Sequence, residues 1–374
     1  MELPEYITID VPFTVRGDSA RLVWWTAWLS KLCAHRLLND VKKNEMLTDL
    51  SQTSFLKYAR ERCYEILPNR RYVDGIAVLI YSTLKSARKL GISIKDIELK
   101  QWLLFQSEAE KGREGNLNIR LMSLDKAEIL VLDREKTLKR IVVGLRTTKG
   151  YLRLLKVLVQ KAMSGEIGYP ARVVIKEYNF YQNDMHLYCG LQVMVPYYLY
   201  LDVMKRYGKP LGGNVGGVDV NVDRINLAIV DTNGKLRDVK TFWFREATSR
   251  GCRRKQVWTE IHQAIHDMLN YAHHHGVSTI ALENPRIIGY LKYYWIRNNN
   301  DRGSRNYNYR KTIFRNRIIE VISYKAPLYG MKTVFVNPRG TTHSEEHDEV
   351  MKKYGLDRHL ASAYIIALKG LKQP

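Results

Sequence analysis

Cysteine is scarce in this sequence, and the few cysteines stand far apart. They occupy positions Cys33, Cys63, Cys189 and Cys252, and no Cys-x-x-Cys pair occurs. A disulfide framework and a cysteine-rich zinc site both use closely spaced cysteines, so the spacing argues against both. We predict that the four thiols are small, buried apolar side chains.

Acidic residues are also in short supply: 38 Asp and Glu face 60 Lys and Arg, which gives a formal net charge of +22. A field of this size attracts polyanions, of which phosphate backbones are the usual partner. No apolar run approaches the roughly 20 residues that span a bilayer. The first residues, MELPEYITIDVPF, lack the basic start and apolar stretch of a signal peptide. We therefore expect a cytoplasmic protein that binds nucleic acid and no membrane.

The N-terminal part combines one strand pattern with a block of helical patterns. Residues 7–15 predict a strand, and Asp18 or Ser19 is placed to cap a first helix. Further helices are predicted over residues 55–67 and 73–90. Because the basic side chains of this block have few acidic neighbours, they are either separate solvated charges or a surface that follows a phosphate backbone.

The aromatic and basic side chains of the helical block have two possible roles. Trp24, Trp25 and Trp28 fit a helix core, with base stacking as the alternative. The side chains that we predict as nucleic-acid contacts in this block are Arg60, Arg70 and Arg71.

From residue 116 the apolar period changes from helical to strand-like. Strand patterns occupy residues 119–122, 128–132, 141–145, 171–178 and 185–195, with a hairpin turn at residues 181–184. We expect these strands to pair with the first strand. This gives a β domain of residues 1–16 and 116–213, into which a helical lobe of residues 17–115 is inserted. Residues 197–213 are predicted as a basic connector, and the Gly212-Gly213-Asn214 cluster marks the boundary to residues 214–374.

The C-terminal part places two acids in particular elements. Residues 215–220 predict a short apolar strand that contains Asp219, and a hairpin follows with Asn233-Gly234 at its turn. A helix over residues 254–275 precedes a strand that ends in Glu283. This order of hairpin, helix and strand is that of the RNase H-like fold.

The chemistry of phosphodiester cleavage explains acids at these positions. Two divalent ions about 4 Å apart can clamp the attacking and leaving oxygens, and Mg²⁺ prefers carboxylate ligands. Because a lone Asp is costly to bury without a partner or a metal, we predict Asp219 and Glu283 as ligands of catalytic Mg²⁺ or Mn²⁺. The alternative is that Asp219 caps a turn and Glu283 lies exposed at a strand end.

Several motifs of this region resemble a known family. Gly217-Val218-Asp219-Val220-Asn221, with Asn226-Leu227-Ala228 after it, resembles the first RuvC motif of the TnpB proteins. These are transposon-encoded RNA-guided DNA nucleases related to the type V CRISPR effectors. Ile280-Ala281-Leu282-Glu283-Asn284 resembles their second motif. Tyr324-Lys325-Ala326 and Val336-Asn337-Pro338-Arg339-Gly340-Thr341-Thr342 resemble their helix end and Thr-Ser corner.

The resemblance implies an α+β and α/β multidomain protein. Its parts would be a β-barrel-like wedge domain with an inserted helical recognition lobe, followed by an RNase H-like, RuvC-type nuclease domain. The N-terminal half is similar to the family in the order of its elements. The implied partners are a guide RNA and target double-stranded DNA, and the guide would recognise the target by base pairing. The implied location is the prokaryotic nucleoid.

A basic segment follows the second motif. Tyrosines and a tryptophan are interleaved with its basic residues, which suits a nucleic-acid strand passing a nuclease site, whereas a solvated loop and helix is the alternative. The side chains that we predict as contacts are Arg286, Lys292, Arg297, Arg302, Arg305, Arg310, Lys311, Arg315 and Arg317.

The sequence departs from the family pattern in two places. The family inserts a four-cysteine zinc ribbon after its Thr-Ser corner, and here a shortened insertion at about residues 341–356 contains no cysteine. We predict a small acidic helix there. His343 and His347 alone do not make a structural zinc site.

The second departure concerns the third acid of the family's metal site. The family motif reads Asp-Arg-Asp-x-Asn-Ala-Ala, whereas this chain has Asp357-Arg358-His359-Leu360-Ala361-Ser362-Ala363. We therefore predict His359 as a ligand or proton-transfer group, although Mg²⁺ prefers oxygen. Asp357 either caps the following helix or acts as a ligand.

Three hypotheses about function follow. The first is a Mg²⁺-dependent, RNA-guided DNA endonuclease that uses Asp219, Glu283, His359 and Asp357. The second is a guided DNA-binding repressor on the same scaffold that does not cleave. The third, an unguided nuclease or resolvase, leaves the helical lobe and the β domain without a task.

Overall fold

The computed structural model describes residues 4–89, 92–99, 103–181, 184–245, 252–285, 302–341 and 344–373. The chain forms two compact units, one of residues Glu5–Val203 and one from Met204 onward. The boundary lies ten residues before residue 214, where the C-terminal part is predicted to begin. None of the described helices combines the length and apolarity that a membrane crossing requires.

The N-terminal unit contains two antiparallel sheets. Their strands are β1 (Tyr6–Arg16), β2 (Leu104–Ser107), β3 (Ile119–Leu121), β4 (Lys126–Leu132), β5 (Leu138–Gly144), β6 (Ala171–Tyr181) and β7 (Asp184–Pro196). One sheet has the order β1-β7-β6-β2 and the other β3-β4-β5. The predicted pairing of the first strand is confirmed, since Tyr6 lies opposite Pro196 and Arg16 opposite His186.

Alternating burial explains why β1 forms at the predicted place. Ile9, Val11, Phe13 and Val15 are buried while the residues between them are not, as expected for a strand with one face on the core. The predicted barrel-like arrangement is wrong in one respect. The described strands form two open sheets that meet through a single bridge between Phe13 and Leu145, and neither sheet closes on itself.

Helices α1 (Gly17–Lys43), α2 (Gln52–Cys63) and α3 (Arg70–Lys89) lie between β1 and β2 in the chain. The predicted cap of α1 is wrong: the cap position is Arg16, whose side chain makes no capping bond, and the helix begins at Gly17 with φ +59°. β1 turns directly into α1, and Gly17 makes this turn in a left-handed backbone conformation that glycine adopts readily. The helix therefore starts before Asp18 and Ser19, the residues predicted to cap it. In α2 the Ser51 side chain accepts a hydrogen bond from the Ser54 amide.

Three elements of this unit were not predicted. They are the short strand β2 and the helices α4 (Leu152–Met163) and α5 (Tyr197–Met204). Helix α5 occupies the first part of the predicted connector. Three cysteines, Cys33, Cys63 and Cys189, are buried as predicted, and Cys252 of the C-terminal unit is half-buried.

The C-terminal unit contains a five-stranded sheet. Its strands are β8 (Asn214–Val220), β9 (Arg224–Val230), β10 (Leu236–Trp243), β11 (Val277–Glu283) and β12 (Lys332–Val336), in the order β10-β9-β8-β11-β12. β8, β11 and β12 run parallel, and β9 is antiparallel to both of its neighbours. The apolar runs of β8, β9 and β11 are almost entirely buried, as expected for central strands.

The described helices of this unit are α6 (Arg254–His274), α7 (Arg302–Lys325), α8 (Glu345–Tyr354) and α9 (Arg358–Leu371). Helix α9 packs its small residues on the sheet, where Ala361, Ala363 and Ala367 form a core with Val215 and Ala281. Side chains alternate along a strand, so Asp219 lies on the same face of β8 as Val215. Asp219 therefore faces the side on which α9 packs.

Candidate active site

Two acids meet where adjacent parallel strands end. Leu282 of β11 lies opposite Val218 of β8, and the next residues on these strands are Glu283 and Asp219. Both carboxylates are buried, with 8% of the Asp219 side chain and 5% of the Glu283 side chain exposed. The two acids that the sequence predicts as metal ligands thus lie together in the protein interior.

An arginine from α7 lies between the two acids. Nη2 of Arg315 is 3.4 Å from Oδ1 of Asp219 and donates a hydrogen bond to Oε2 of Glu283. Sequence reasoning grouped Arg315 with the nucleic-acid contacts, whereas the structure places its guanidinium against the acids. A charge-assisted contact of this kind offsets the cost of burying two carboxylates side by side.

His359 and Asn221 hold the other oxygen of Asp219. Nδ2 of Asn221 donates to Oδ2 of Asp219 at 2.9 Å, and Nδ1 of His359 lies 3.1 Å from the same oxygen. Nδ2 of Asn221 also lies 3.2 Å from Nδ1 of His359, so Nδ1 donates to Asp219 in one tautomer and accepts from Asn221 in the other.

Thr341, at the corner after β12, is the corresponding partner of Glu283. Its buried Oγ1 lies 2.7 Å from Oε1 of Glu283 and 2.7 Å from the carbonyl oxygen of Pro338. The single hydroxyl proton faces two acceptors, of which the carboxylate is the more strongly attracting. Thr341 therefore fixes the orientation of Glu283.

Two roles are predicted for Asp357, helix capping and metal ligation, and the structure shows helix capping. Its Oδ1 accepts hydrogen bonds from the backbone N–H groups of His359 and Leu360, both at 2.8 Å. This is the usual N-cap geometry, and it begins α9 so that His359 lies in the first turn. Asp357 thereby determines where His359 lies.

The donor groups of this site decide whether a divalent metal ion fits it. Within the described ranges, no three His, Cys, Asp or Glu side chains are grouped so that they can hold a metal ion together. Asp219 and Glu283 nevertheless present two buried carboxylates to one cationic nitrogen, and carboxylate oxygen is the ligand that Mg²⁺ prefers. The residues therefore fit a divalent ion through the two carboxylates, with Asn221, His359 and Thr341 as their supports.

The insertion after the Thr-Ser corner contains the predicted acidic helix, α8. His347 is buried, and its Nε2 donates to the carbonyl oxygen of Arg358 at 2.9 Å and lies 3.2 Å from Oγ of Ser362. This histidine fastens α8 to α9, which is a structural role. His343 lies outside the described residues.

The three arginines predicted as nucleic-acid contacts in the helical lobe each pair with an acidic side chain. Arg60 makes a bidentate pair with the buried Asp74, with Nε at 2.7 Å and Nη2 at 2.9 Å from its two oxygens. Arg70 lies 3.9 Å from Asp74, and Arg71 lies 2.9 Å from Glu110. Of the three, Arg70 is the most exposed, at 66%.

Most of the basic segment lies outside what can be described in detail. Arg286, Lys292 and Arg297 lie outside the described residues. The structure describes α7 as a helix from Arg302 onward but not the side chains of its first residues, among them Arg302, Arg305, Arg310 and Lys311. Arg317 is exposed, and its guanidinium lies 5.0 Å from the centre of the Trp258 ring.

The tryptophans of α1 are not fully buried in the core. Trp24 and Trp25 are half-buried and line a cavity of about 900 Å³ together with Phe180, Arg21 and Arg134. The ring of Trp24 makes an edge contact with Tyr178, at 4.8 Å between centroids. The acids Asp18, Asp133 and Glu135 also line this cavity, and Arg21 pairs with Asp18, so the cavity is not a purely basic surface for stacked bases.

Two partners of the acids were not predicted as site residues, although both lie within quoted motifs. Asn221 follows Asp219 by two residues on the same run, and Thr341 is part of the Thr-Ser corner. An amide two residues after a buried acid is a usable signal. The contact of Thr341 with Glu283 bridges 58 residues and depends on the sheet order.

Comparison with solved structures shows that the chain shares its fold with a protein of known structure. The chain is similar in structure to Cas12f1 in the cryo-EM structure of the Cas12f1-sgRNA-target DNA complex, with a TM-score of 0.55 and 14% sequence identity. The similarity covers 93% of this chain and 82% of that chain. At this identity it establishes the fold alone.

Sequence comparison identifies relatives in two archaeal sources. An uncharacterized protein of Aeropyrum pernix is 45% identical over 370 residues, covering 98% of this chain and 97% of the relative. The uncharacterized protein SSO2105 of Saccharolobus solfataricus is 31% identical over 316 residues, covering 82% of this chain and 79% of the relative. The family model of the SSO2105 N-terminal domain matches residues 6–205. The chain therefore belongs to the SSO2105 family.

Proposed function

We propose that this protein is an RNA-guided DNA endonuclease of TnpB type. The observation that carries the proposal is the buried pair Asp219 and Glu283, which ends two adjacent parallel strands and meets one cationic nitrogen. Two carboxylates at one point are the core of a site that binds divalent metal and cleaves phosphodiesters.

The topology of the C-terminal unit supports a nuclease fold. Numbered along the chain, the sheet has the order 3-2-1-4-5, and strand 2 runs antiparallel to the other four strands. That order is typical of the RNase H-like fold, with the acids on strands 1 and 4. We propose that residues 214–374 are a RuvC-type nuclease domain, that residues 1–16 and 116–213 together with β2 are the wedge, and that the helices within residues 17–115 are the recognition lobe.

The partners follow from charge and fold. The net charge of +22 favours a polyanion, and Cas12f1, whose fold is similar, was solved with sgRNA and target DNA. We propose a guide RNA and target double-stranded DNA as the partners of this chain. The basic side chains predicted from the sequence, above all those of α7 other than Arg315, are the proposed contacts.

Each residue of the site has a task in this proposal. Asp219 and Glu283 would hold Mg²⁺ or Mn²⁺, and the bound metal, in a two-metal arrangement, would activate water and offset charge on the phosphate. Thr341 orients Glu283, while Asn221 and His359 orient Asp219. Asp357 maintains the helix start that places His359.

Purification and cleavage test this proposal together. The full chain should co-purify with RNA and should cut a matching DNA in Mg²⁺. Asp219→Asn and Glu283→Gln should abolish cutting but leave RNA binding intact. Asp231→Asn is the matched control, because Asp231 is a buried acid on the same sheet that binds turn amides outside the site. Cutting that survives Asp219→Asn would refute the assigned site, and a protein free of RNA would refute guidance.

Two variants test which residue, His359 or Asp357, acts at the third position of the proposed metal site. Asp357→Asn keeps a capping side chain but weakens any role as metal ligand, whereas His359→Ala removes the imidazole. We expect loss of cutting with His359→Ala and near-normal cutting with Asp357→Asn. The reverse result would make Asp357 the third ligand.

One observation favours a second candidate, a guided DNA-binding protein that does not cleave. No third carboxylate joins Asp219 and Glu283 within the described part of the chain, and a guanidinium already contacts both acids. This candidate predicts RNA-dependent binding of target DNA with no cutting in Mg²⁺ or Mn²⁺.

A further inference from the structure

Arg315 has an unusual way of pairing with its acids. A single nitrogen, Nη2, contacts both Asp219 and Glu283, while Nε is buried and has no hydrogen-bond partner in the described structure. A buried N–H without a partner costs free energy. The guanidinium is therefore held by the charge attraction at Nη2, and its Nε–H donor is not used.

The Arg60–Asp74 pair in the same chain shows the contrast. There Nε and Nη2 each meet one oxygen of a single carboxylate, which is the bidentate geometry of a permanent ion pair. Arg315 instead places one positively charged nitrogen between two different acids. A divalent ion shared by Asp219 and Glu283 would take that place.

Electrostatic repulsion opposes the simultaneous binding of the Arg315 guanidinium and a metal ion to these two carboxylates. The two carboxylates carry two negative charges, which one divalent ion neutralises. With Arg315 in contact, a divalent ion would meet a like charge within a few ångströms, and like charges that close in the protein interior repel strongly. The metal and the guanidinium therefore compete for the same two oxygens.

We propose that Arg315 is an internal counter-ion that occupies the cation position between Asp219 and Glu283 and leaves it when a divalent metal binds. This inference rests on the proposed function, since it takes the two acids as the metal site. Arg315 then sets the apparent metal affinity: the acids are free to bind metal only in the fraction of molecules in which the guanidinium has moved away.

The test measures Mn²⁺ binding to the full chain by electron paramagnetic resonance, without DNA. Arg315→Gln should bind Mn²⁺ about tenfold more tightly than the wild type or better, because the competing cation is gone. Arg237→Gln is the matched control: it removes one positive charge from an exposed side chain of the same unit, which pairs with Asp231 and not with the two acids of the site. It should leave Mn²⁺ affinity within about twofold of the wild type. Adding Asp219→Asn to Arg315→Gln should abolish the tight binding.

The outcomes separate this inference from the proposed function. Equal or weaker Mn²⁺ binding by Arg315→Gln would overturn the counter-ion role and leave the metal site standing. An equal gain in Arg237→Gln would also overturn it, because the effect would then be one of general charge. If no variant binds Mn²⁺ in a way that depends on Asp219, the metal site of the proposed function fails and the inference falls with it.

A measurement on the wild type covers the case in which Arg315→Gln does not fold. Nitrogen-15 labelling of arginine, with Arg315→Lys to assign the signal, follows the Nε–H resonance of Arg315 during a Mg²⁺ titration. We expect that resonance to move as Mg²⁺ binds while that of Arg60 stays in place. An Arg315 resonance that is unchanged at Mg²⁺ saturation would overturn the proposal.

Discussion

Gly217 lies where α9 touches β8, and a methyl group there has no room. A Cβ atom at this position would lie 2.1 Å from the carbonyl oxygen of Ala363, 2.3 Å from the amide nitrogen of Ala367 and 2.8 Å from the Cα of Ala367. All three atoms belong to the helix backbone, so no side-chain rotation relieves the contact. The helix itself has to move.

The cost follows from the size of that movement. Ordinary van der Waals contact begins at 3.4 Å, so α9 must shift by roughly 1 Å or more against a packed core. Overpacking costs about 1–3 kcal/mol when side chains can adjust, and Gly217→Ala should reach about 3 kcal/mol because backbone cannot. The shift also carries His359 away from Asp219, whose hydrogen bond spans 3.1 Å.

Urea unfolding and hydrogen exchange of peptides from α9 measure this effect. Gly208→Ala is the control, because nothing lies within 4 Å of its new methyl group and its backbone needs no left-handed conformation. It should change stability by less than about 0.5 kcal/mol. Gly217→Ala with a loss under about 1 kcal/mol and unchanged exchange in α9 would refute the packing argument.

Two further predictions concern pH and the support of Glu283. Burial, with repulsion from nearby cations, lowers the pKa of His262 to about 4 and that of His266 to about 3. The unfolded chain therefore binds more protons below about pH 6.5. Acid should destabilise the fold by about 1 kcal/mol per histidine at pH 5 relative to pH 7, because solvent screening at these half-buried rings reduces the full value. Urea midpoints against pH check this, and a slope unchanged by His266→Phe would contradict it. Thr341→Val should lower stability by about 2 kcal/mol and reduce cutting, because Glu283 loses a buried charge-assisted donor. Thr341→Ser, which keeps the hydroxyl, should retain both, and equal effects of the two variants in denaturation and cleavage assays would show that the methyl group matters instead.

The fold was predictable where apolar period and chain order agree. Strand β8 with Asp219, and strand β11 ending in Glu283, are visible as short apolar runs, and the parallel order then brings the acids together. Helix α4 was missed although its sequence has the signal. Its buried residues, Leu154, Leu155, Leu158 and Val159, repeat at helical spacing.

Other features had no local signal. Strand β2 has only four residues, and its pairing with β6 depends on a partner about 70 residues away. The start of α1 depends on how β1 leaves the sheet at Gly17, which capping preferences do not describe. Boundaries set by tertiary contacts override the propensity of single residues.

The fate of Arg315 shows why charge alone does not locate a nucleic-acid surface. In the sequence Arg315 is one member of a basic series, and its acidic partners lie 96 and 32 residues away. Arg60 and Arg71 likewise meet acids across the fold. Each of these guanidinium groups is one of the 60 basic residues but is already neutralised by a carboxylate. The basic residues that attract a phosphate backbone must therefore be the less strongly paired ones. Replacing Arg70, which is 66% exposed and 3.9 Å from Asp74, should weaken binding to DNA or RNA more than replacing Arg60, which is 33% exposed and bidentate with Asp74.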